Sequence, residues 1–284
     1  MPQSLKQIKN RIRGVGNTMK VTNAMQMISA TKLSRVDKQL FQLRSYYGGL
    51  ERLMLNLTSC REDIQHPCFQ EPLTKENFVL CVITSDSGLC GLYNQNVLRE
   101  AEKFIARCGA QKVSLIVIGR RAAKYFKNKG IKILNTYAGL HGGYGHLIAD
   151  QITGILVKLF LAKKADEVHV AYTYFRKGIL QNAVVEKFLN LRSEQRVKIN
   201  YIFEDGLDNI VDQVVLRFLL TRMRFIFLQA FTSEHASRSI AMKAATDNAK
   251  QLLSRLVVVH NKIRQSNITQ EMLEIISSSQ ALKG

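Results

Sequence analysis

The last quarter of the chain is free of the two residues that most readily interrupt a helix. Residues 208–283 contain neither proline nor glycine, although the chain has three prolines and 17 glycines. This stretch predicts one very long helix, about 110 Å at a rise of 1.5 Å per residue. Its apolar residues recur at alternating spacings of three and four: Met242, Ala245, Ala249, Leu252, Leu256, Val259 and Ile263. That rhythm predicts a coiled-coil seam, which needs a partner helix.

The N-terminal segment is the expected partner. Ser4 is a suitable helix N-cap, and no proline follows it until Pro67. The same rhythm runs through Leu5, Ile8, Ile12, Val15 and Met19, and resumes at Leu33, Val36, Leu40, Leu43, Tyr47, Leu50, Met54 and Leu57. Two long helices with apolar stripes at opposite ends of one chain predict an intramolecular antiparallel coiled coil.

The middle of the chain has a different pattern. Short runs of apolar, β-branched residues at 78–84, 113–118 and 167–175 predict buried strands, and 182–191 predicts an edge strand. Helical segments lie between them, which is typical of a small, mostly parallel α/β layer.

The predicted fold class is therefore α+β or α/β: a long antiparallel coiled coil of N- and C-terminal helices with an inserted Rossmann-like α/β domain. The expected domains are an N-terminal coiled-coil helix at 1–60, the inserted domain with its connecting segments at 61–206, and a C-terminal helix at 207–284.

Charge is the strongest global feature of the composition. The formal net charge is +19, which predicts an acidic partner such as nucleic acid, an anionic membrane or an acidic protein surface. For part of this charge, the alternative explanation is an ordinary solvated helix face. The five cysteines form no CxxC pair, so reduced thiols are expected rather than a metal site. We find no apolar run long enough to cross a bilayer and expect no cleaved signal or transit peptide.

The turn after the first strand resembles a phosphate-binding loop in composition only. Ser85, Ser87, Gly88 and Gly91 follow the strand and precede a helix. No GxGxxG or GxxxxGK[ST] motif is present, so a tight turn with close helix packing is favoured. We find no catalytic arrangement either, and therefore expect no catalytic residues, cofactor or metal.

Three stretches resemble one family, the γ subunit of the F-type ATP synthase. They are SLKQIKNRIRGVGNTMKVTNAMQMISATKL at 4–33, SDSGLCGLYNQN at 85–96, and SEHASRSIAMKAATDNAKQLL at 233–253 followed by NKIRQSNITQEMLEII at 261–276. They stand in the family's order, at both ends of the chain and in its middle, so the resemblance covers essentially the whole chain. The resemblance implies a non-catalytic rotor shaft that couples ion flow through the membrane c ring to ATP synthesis or hydrolysis at the catalytic β subunits.

The resemblance also implies partners and a location. The partners are three α and three β subunits, the ε subunit and the c-subunit ring, with no nucleic acid and with membrane contact only through the complex. The implied location is the cytoplasmic face of the bacterial plasma membrane, as a peripheral protein.

By position in these motifs, the resemblance assigns contacts with other subunits. Met25 corresponds to a methionine facing an acidic β-subunit loop, although core packing is an equal alternative for it. The polar cluster implied to contact the α/β ring is Arg264, Gln265, Thr269 and Glu271. Ordinary helix-surface charge is the alternative reading of Arg264 and Glu271. Tyr201 and Glu204 correspond to the foot that touches the c ring, although Asp205 stands where the family usually has proline.

Two other functions compete with the rotor. A basic coiled-coil nucleic-acid-binding protein would follow from the net charge, and a nucleotide-dependent enzyme would follow from the α/β domain. The first predicts DNA binding that weakens steeply with salt, and the second predicts saturable binding of ATP or NAD by the isolated chain.

Overall fold

A computed structural model describes residues 5–59, 66–70, 72, 75–143, 145–175, 181–191 and 207–281. The chain divides into two compact units, the first formed by Met1–Ser29 with Ser239–Gly284 and the second by Ala30–Arg238. The expected long terminal helices are confirmed: α1 spans Leu5–Ser59 and the last helix, α5, spans Leu207–Ala281. Each of these helices contributes residues to both units.

A five-stranded sheet forms the centre of the second unit. Its elements are β1 (Phe78–Ile83), α2 (Tyr93–Cys108), β2 (Val113–Ile118), α3 (Arg120–Phe126), β3 (Lys132–Tyr137), α4 (His146–Leu161), β4 (Glu167–Phe175) and β5 (Gln181–Leu189). The strand order is β3-β2-β1-β4-β5. The first four strands are parallel, and β5 pairs with β4 in the antiparallel direction. The α/β class predicted for the middle of the chain is confirmed.

Burial on both faces explains why the central strands read as continuous apolar runs. Leu80 and Val82 of β1 pack into a core with α2 and α3. The alternate residues Val79, Cys81 and Ile83 pack into a second core with α4 and parts of α1 and α5. A strand covered on both sides has no polar face, so its sequence does not alternate.

One strand has no counterpart in the sequence interpretation. β3 is an edge strand, and all six of its residues are exposed or half-buried. Its sequence, KILNTY, includes Lys132 and Asn135, so it lacks the apolar run that revealed β1, β2 and β4. Neither core forces an edge position like this one to be apolar.

Within the first unit, α1 and α5 run antiparallel. The Oγ1 atoms of Thr22 and Thr246 lie 2.8 Å apart. A Cβ built on Gly16 would lie 3.9 Å from Cδ1 of Leu253, so contacts move toward the end of α5 as they move toward the start of α1.

The seam of α5 differs by one residue from its predicted phase at two positions. Leu252 and Val259 are 39% and 43% exposed. Leu253 and His260 are half-buried in their place. Spacings of three and four in either order fit an apolar heptad, and the contact with Gly16 selects the phase that contains Leu253.

On α1, the seam continues through residues that the apolar pattern did not mark. Between Met19 and Leu33, the side chains that keep the rhythm are Thr22, Gln26 and Ser29, and Ser29 is buried. Its hydroxyl donates to the carbonyl of Met25 at 2.8 Å, which satisfies it without a partner helix. Polar residues therefore continue the seam between Met19 and Leu33, together with the half-buried Met25.

The phase of the α5 seam can be tested with neighbouring leucines. We expect Leu253→Ala to lower the free energy of unfolding by about 1–3 kcal/mol, because it removes a side chain packed between the helices. Leu252→Ala is the matched control and should cost less than about 0.5 kcal/mol. Urea unfolding followed by circular dichroism measures both. A larger loss for Leu252→Ala would favour the phase predicted from the sequence. Equal losses would contradict the phase seen in the structure.

His169 is a buried titratable group beneath α2. Its ring centroid lies 4.5 Å from that of Phe104, and its Nε2 lies 3.6 Å from a carboxylate oxygen of Glu167. Burial lowers the pKa of His169 to about 4, although Glu167 acts in the opposite direction. The folded chain therefore holds a neutral imidazole at pH values where an unfolded chain would protonate it.

This predicts a loss of stability in acid. The unfolded state takes up a proton near pH 6.5 and the folded state only near pH 4, so stability is complete above 6.5 and falls as the pH drops toward 4. We expect His169→Phe to remove about 3 kcal/mol of this acid-dependent loss, since one pKa unit corresponds to 1.36 kcal/mol. Unfolding curves at several pH values test it. Parallel pH profiles for the two proteins would contradict it.

Candidate interaction surfaces

A fully buried stretch of α5 lies at the carboxyl ends of the sheet strands. Every residue from 225 to 236 is buried. Gln229 Oε1 accepts a hydrogen bond from the backbone N–H of Phe175 at 2.8 Å, at the end of β4. Ser233 Oγ donates to the carbonyl of Thr173 at 3.2 Å. Doubly wound sheets usually bind ligands in this crevice, and here the chain's own helix lies there.

A buried ion pair continues this contact. Arg238 Nη1 lies 2.8 Å from Glu234 Oε1, and their side chains are only 8% and 1% exposed. The guanidinium also donates to the carbonyls of Ser87 and Gly88, at 3.2 and 3.3 Å. Burial raises the pKa of Glu234, and Arg238 opposes the rise. The turn after β1, which resembles a phosphate loop in composition, is therefore bound to α5 through its backbone.

Asp86 organises the loops around that turn. Its carboxylate accepts backbone hydrogen bonds from Arg120 at 3.1 Å, Gly139 at 3.0 Å and His141 at 2.8 Å. Burial alone would raise the pKa of Asp86, but these three donors outweigh it and the pKa is lowered. His235 Nε2 lies 2.9 Å from the carbonyl oxygen of Gly142, so the 139–143 loop also contacts α5.

The polar cluster assigned by resemblance lies on an exposed part of α5. Every residue with a described side chain from 264 to 279 is exposed, including Arg264, Gln265, Thr269 and Glu271. Thr269 Oγ1 donates to the carbonyl of Gln265 at 2.9 Å. Among the described residues, the side chains of Arg264 and Glu271 form no ion pair. Their charges are therefore available to a partner.

Apolar side chains share the same exposed segment. They are Ile268, Met272, Leu273, Ile275 and Ile276. The spacing of Ile268, Met272 and Ile275 places them on one side of the helix. A contiguous exposed apolar patch marks an interaction site, so this end of α5 is a candidate interface.

The other assigned residues are less informative. Met25 is half-buried on α1, one turn after Thr22, and so lies across from the 242–246 part of α5 rather than beside Arg264. Its two alternatives, core packing and partner contact, both stay open. Tyr201 and Glu204 lie outside the described residues.

The first unit carries a strongly basic surface. Its exposed cationic residues in the described ranges are Lys6, Lys9, Arg11, Arg13, Lys20, Lys243, Lys250, Arg255, Lys262 and Arg264. The described acids there are Asp247, Glu271 and Glu274. Such an excess attracts an acidic protein surface and increases the association rate.

Sequence reasoning missed the buried polar set on α5. Glu234 and Arg238 were visible only as part of a family motif, without a structural role. The available signal was the concentration of polar residues between Gln229 and Arg238, directly after an apolar part of the same predicted helix. Polar residues in such a position require partners from another element.

The fold has close counterparts among ATP synthase structures. A chain of the Euglena gracilis mitochondrial ATP synthase, in a structure of OSCP, F1 and the c ring in rotational state 3, aligns with a TM-score of 0.66 and 16% identity, over 98% of this chain and 94% of that one. A chain of the central stalk and c ring from Tetrahymena thermophila mitochondrial ATP synthase aligns with a TM-score of 0.62 and 21% identity, over 79% and 99%. The fold is that of ATP synthase central-stalk subunits.

Sequence comparison identifies the family. The ATP synthase family model matches residues 4–282. An ATP synthase gamma chain from Protochlamydia amoebophila is 32% identical over 288 residues, which cover 99% of each chain. The chain therefore belongs to the ATP synthase gamma chain family, whose members are non-catalytic rotary subunits. The alternative of a coiled-coil nucleic-acid-binding protein is not supported.

None of the helices in the described part of the chain has a stretch apolar enough to cross a lipid bilayer. Within the same residues, no group of three or more His, Cys, Asp or Glu side chains is placed to hold a metal ion.

The buried pair on α5 makes a stability prediction. We expect Arg238→Met to lower the free energy of unfolding by about 3–5 kcal/mol, because Glu234 is left buried without its cation. The double variant Glu234→Gln with Arg238→Met should recover a large part of that loss, since no buried charge remains. Chemical denaturation of the single and double variants tests the coupling. Additive effects of the two substitutions would contradict it.

Proposed function

We propose that this chain is the rotor shaft of an F-type ATP synthase, coupling ion flow through the c ring to ATP synthesis or hydrolysis at the β subunits. The observation that carries the proposal is the exposed end of α5. There a polar cluster and an apolar stripe are exposed on one end of the helix, whereas residues 225–236 of the same helix are buried in the α/β unit. A helix in this state is suited to contact a surrounding ring of subunits.

The proposed partners are three α and three β subunits around the end of α5, the ε subunit, and the c ring through Tyr201 and Glu204. The structures that share the fold come from assemblies that contain F1, the central stalk or the c ring. Contact with the membrane would be made only through the complex. We place the protein at the cytoplasmic face of a bacterial plasma membrane, as a peripheral component.

The charges on the first unit support a moving contact rather than a fixed one. Arg264 and the other exposed cations are solvated, and exposed ion pairs contribute only about 0–1 kcal/mol each. Such contacts form and break readily as the shaft turns past acidic loops of β subunits. Each β subunit would meet a different face of the shaft, which biases it toward an open or closed state.

Reconstitution tests the proposal. Purified α and β subunits are mixed with the chain, and we expect a complex with one copy of the chain to three of each subunit, together with ATP hydrolysis that depends on the chain. Size-exclusion chromatography with mass measurement gives the composition, and a coupled assay gives the rate. A chain that neither joins α and β subunits nor changes their hydrolysis would overturn the proposal.

The same assay tests the polar cluster with a matched control. Arg264→Ala and Glu271→Gln should reduce hydrolysis by at least about threefold, a loss of roughly 0.7 kcal/mol of coupling, without changing thermal stability, because both side chains are exposed. Arg255→Ala removes another exposed arginine of α5, outside the polar cluster, and should reduce the rate by less than Arg264→Ala does. Equal losses for Arg255→Ala and Arg264→Ala would show a general charge effect instead of a specific contact.

A further inference from the structure

One edge of the sheet is rich in exposed cations that the proposed function does not use. It is the edge at which the four parallel strands begin, and we call it the amino edge. Each of these strands has an exposed lysine at its first residue or shortly before it. Because the beginnings of parallel strands share one edge of a sheet, these residues form a row. In sheet order from β3 to β4 they are Lys132, Lys112, Lys75 and the adjacent Lys163 and Lys164.

Two of these lysines have acidic partners on the chain. Lys75 Nζ lies 3.3 Å from Glu167 Oε1, and Lys112 Nζ lies 4.0 Å from Glu76 Oε1. The second pair is exposed on both sides. Exposed pairs of this kind are weak, so Lys112 can exchange Glu76 for another anion.

The other three lysines are not neutralised by the chain. Within the part of the chain that the structure describes, Lys132, Lys163 and Lys164 form no ion pair. The acid that follows them before β4 is Asp166, and it is used internally. Its Oδ2 accepts hydrogen bonds from two backbone N–H groups just before β1, at 2.9 and 2.8 Å. The amino edge therefore presents more positive than negative charge to solvent.

The proposed foot of the rotor is attached at the same edge. β5 runs antiparallel to β4, so its last residue, Leu189, pairs at the beginning of β4. The backbone N–H of Leu191 then donates to the carbonyl of Cys68 at 2.8 Å. Tyr201 and Glu204, which we propose to touch the c ring, follow in the connection to α5. The chain therefore enters that connection from the amino edge.

The start of α5 returns to the same place. Asp212 Oδ1 lies 3.2 Å from His66 Nε2. The Nδ1 atom of His66 accepts a hydrogen bond from the backbone N–H of Cys68 at 3.1 Å. Cys68 is also the residue whose carbonyl holds Leu191. Both ends of the connection that carries the proposed foot are thus held on this side of the α/β unit.

We propose that the amino edge is attracted to the anionic headgroups of the membrane around the c ring, and that this attraction orients the chain above the ring. The inference rests on the proposed function, because the foot on the c ring determines which edge of the sheet faces the membrane. The cytoplasmic leaflet carries a negative surface potential that acts on cations within about a Debye length, 8–10 Å at ordinary salt. No side chain enters the lipid, so direct contact still belongs to the c ring.

The shape of the row favours a lipid surface over nucleic acid. It crosses four strands, about 14 Å at the usual strand spacing, and it follows a straight sheet edge. Single-stranded nucleic acid is usually bound in a groove where aromatic side chains stack on the bases. A row of separate lysines suits a flat layer of negative charge.

Binding of an assembled complex to vesicles tests the attraction. The chain is first joined with α and β subunits, because its first unit is also basic and would bind vesicles in the isolated chain. The complex is then sedimented with vesicles of phosphatidylglycerol and phosphatidylcholine, or of phosphatidylcholine alone. We expect binding to the first kind only. Raising the salt concentration from about 0.1 M to about 1 M should abolish it, because the Debye length falls from about 10 Å to about 3 Å.

Charge reversal locates the attraction on the chain. Lys132→Glu with Lys164→Glu should weaken binding to phosphatidylglycerol vesicles by at least about tenfold, because two attracted charges become repelled ones. Both side chains are exposed, so the melting temperature of the complex should not change.

The matched control is Arg35→Glu with Lys38→Glu, which makes the same change in net charge at exposed residues of α1. These residues lie one to two turns from Lys32, whose Nζ donates to the carbonyl of His141 beyond the far end of β3. The control residues are therefore near the opposite edge of the sheet, and their reversal should weaken binding by less than about twofold.

Several results would overturn the inference. They are equal binding to both kinds of vesicle, binding that salt does not weaken, and equal losses for the two double variants. Capture of the complex by RNA or by polyglutamate through Lys132 and Lys164, without a preference for phosphatidylglycerol, would assign the amino edge to another kind of partner and overturn it as well.

The outcomes also separate this inference from the proposed function. A chain that never joins α and β subunits contradicts the proposed function, and with it the orientation above the c ring. A complex that forms normally, yet shows no preference for phosphatidylglycerol vesicles, contradicts the attraction to the membrane alone.

Discussion

The structure depends on the burial of one helical segment from all sides. Residues 225–236 of α5 lie within the α/β unit, where a soluble helix would ordinarily keep one face in water. The polar side chains of this segment are retained because they have specific uses: Gln229 and Ser233 bind the end of β4, and Glu234 holds Arg238 against the turn after β1. The crevice that would receive a nucleotide in a related enzyme fold holds the helix instead. A fold that binds nucleotides in some enzymes therefore holds a helix of the chain here.

Much of this architecture could be read from the sequence because its signals are periodic. The long helices followed from the absence of proline and glycine, and β1, β2 and β4 followed from burial on both faces. β3 escaped notice because an edge strand such as KILNTY has no need to be apolar. The α5 seam was misplaced at Leu252 and Val259 because the order of three- and four-residue spacings is ambiguous until a partner such as Gly16 fixes it.

The candidate interaction surfaces were likewise predictable only in part. Nothing in the spacing of Arg264, Gln265, Thr269 and Glu271 distinguishes them from ordinary exposed residues, and only the family motif singled them out. The structure adds that they stand on a segment with exposed apolar neighbours such as Met272. The attachment of α5 to the turn after β1 through Arg238 could not be anticipated, because it depends on how two distant parts of the chain meet. Arrangements of this kind have no linear signature.

The all-round burial of part of α5 has a consequence for how the helix opens. Backbone amides between 225 and 236 can exchange with solvent only when the α/β unit itself comes apart, whereas those beyond 264 can exchange through fraying of a helix end in water. One continuous helix therefore has two very different local stabilities. One helix thus combines a rigid segment, held in the α/β unit, with an end that deforms easily, and in a rotary subunit the first property suits the transmission of torque.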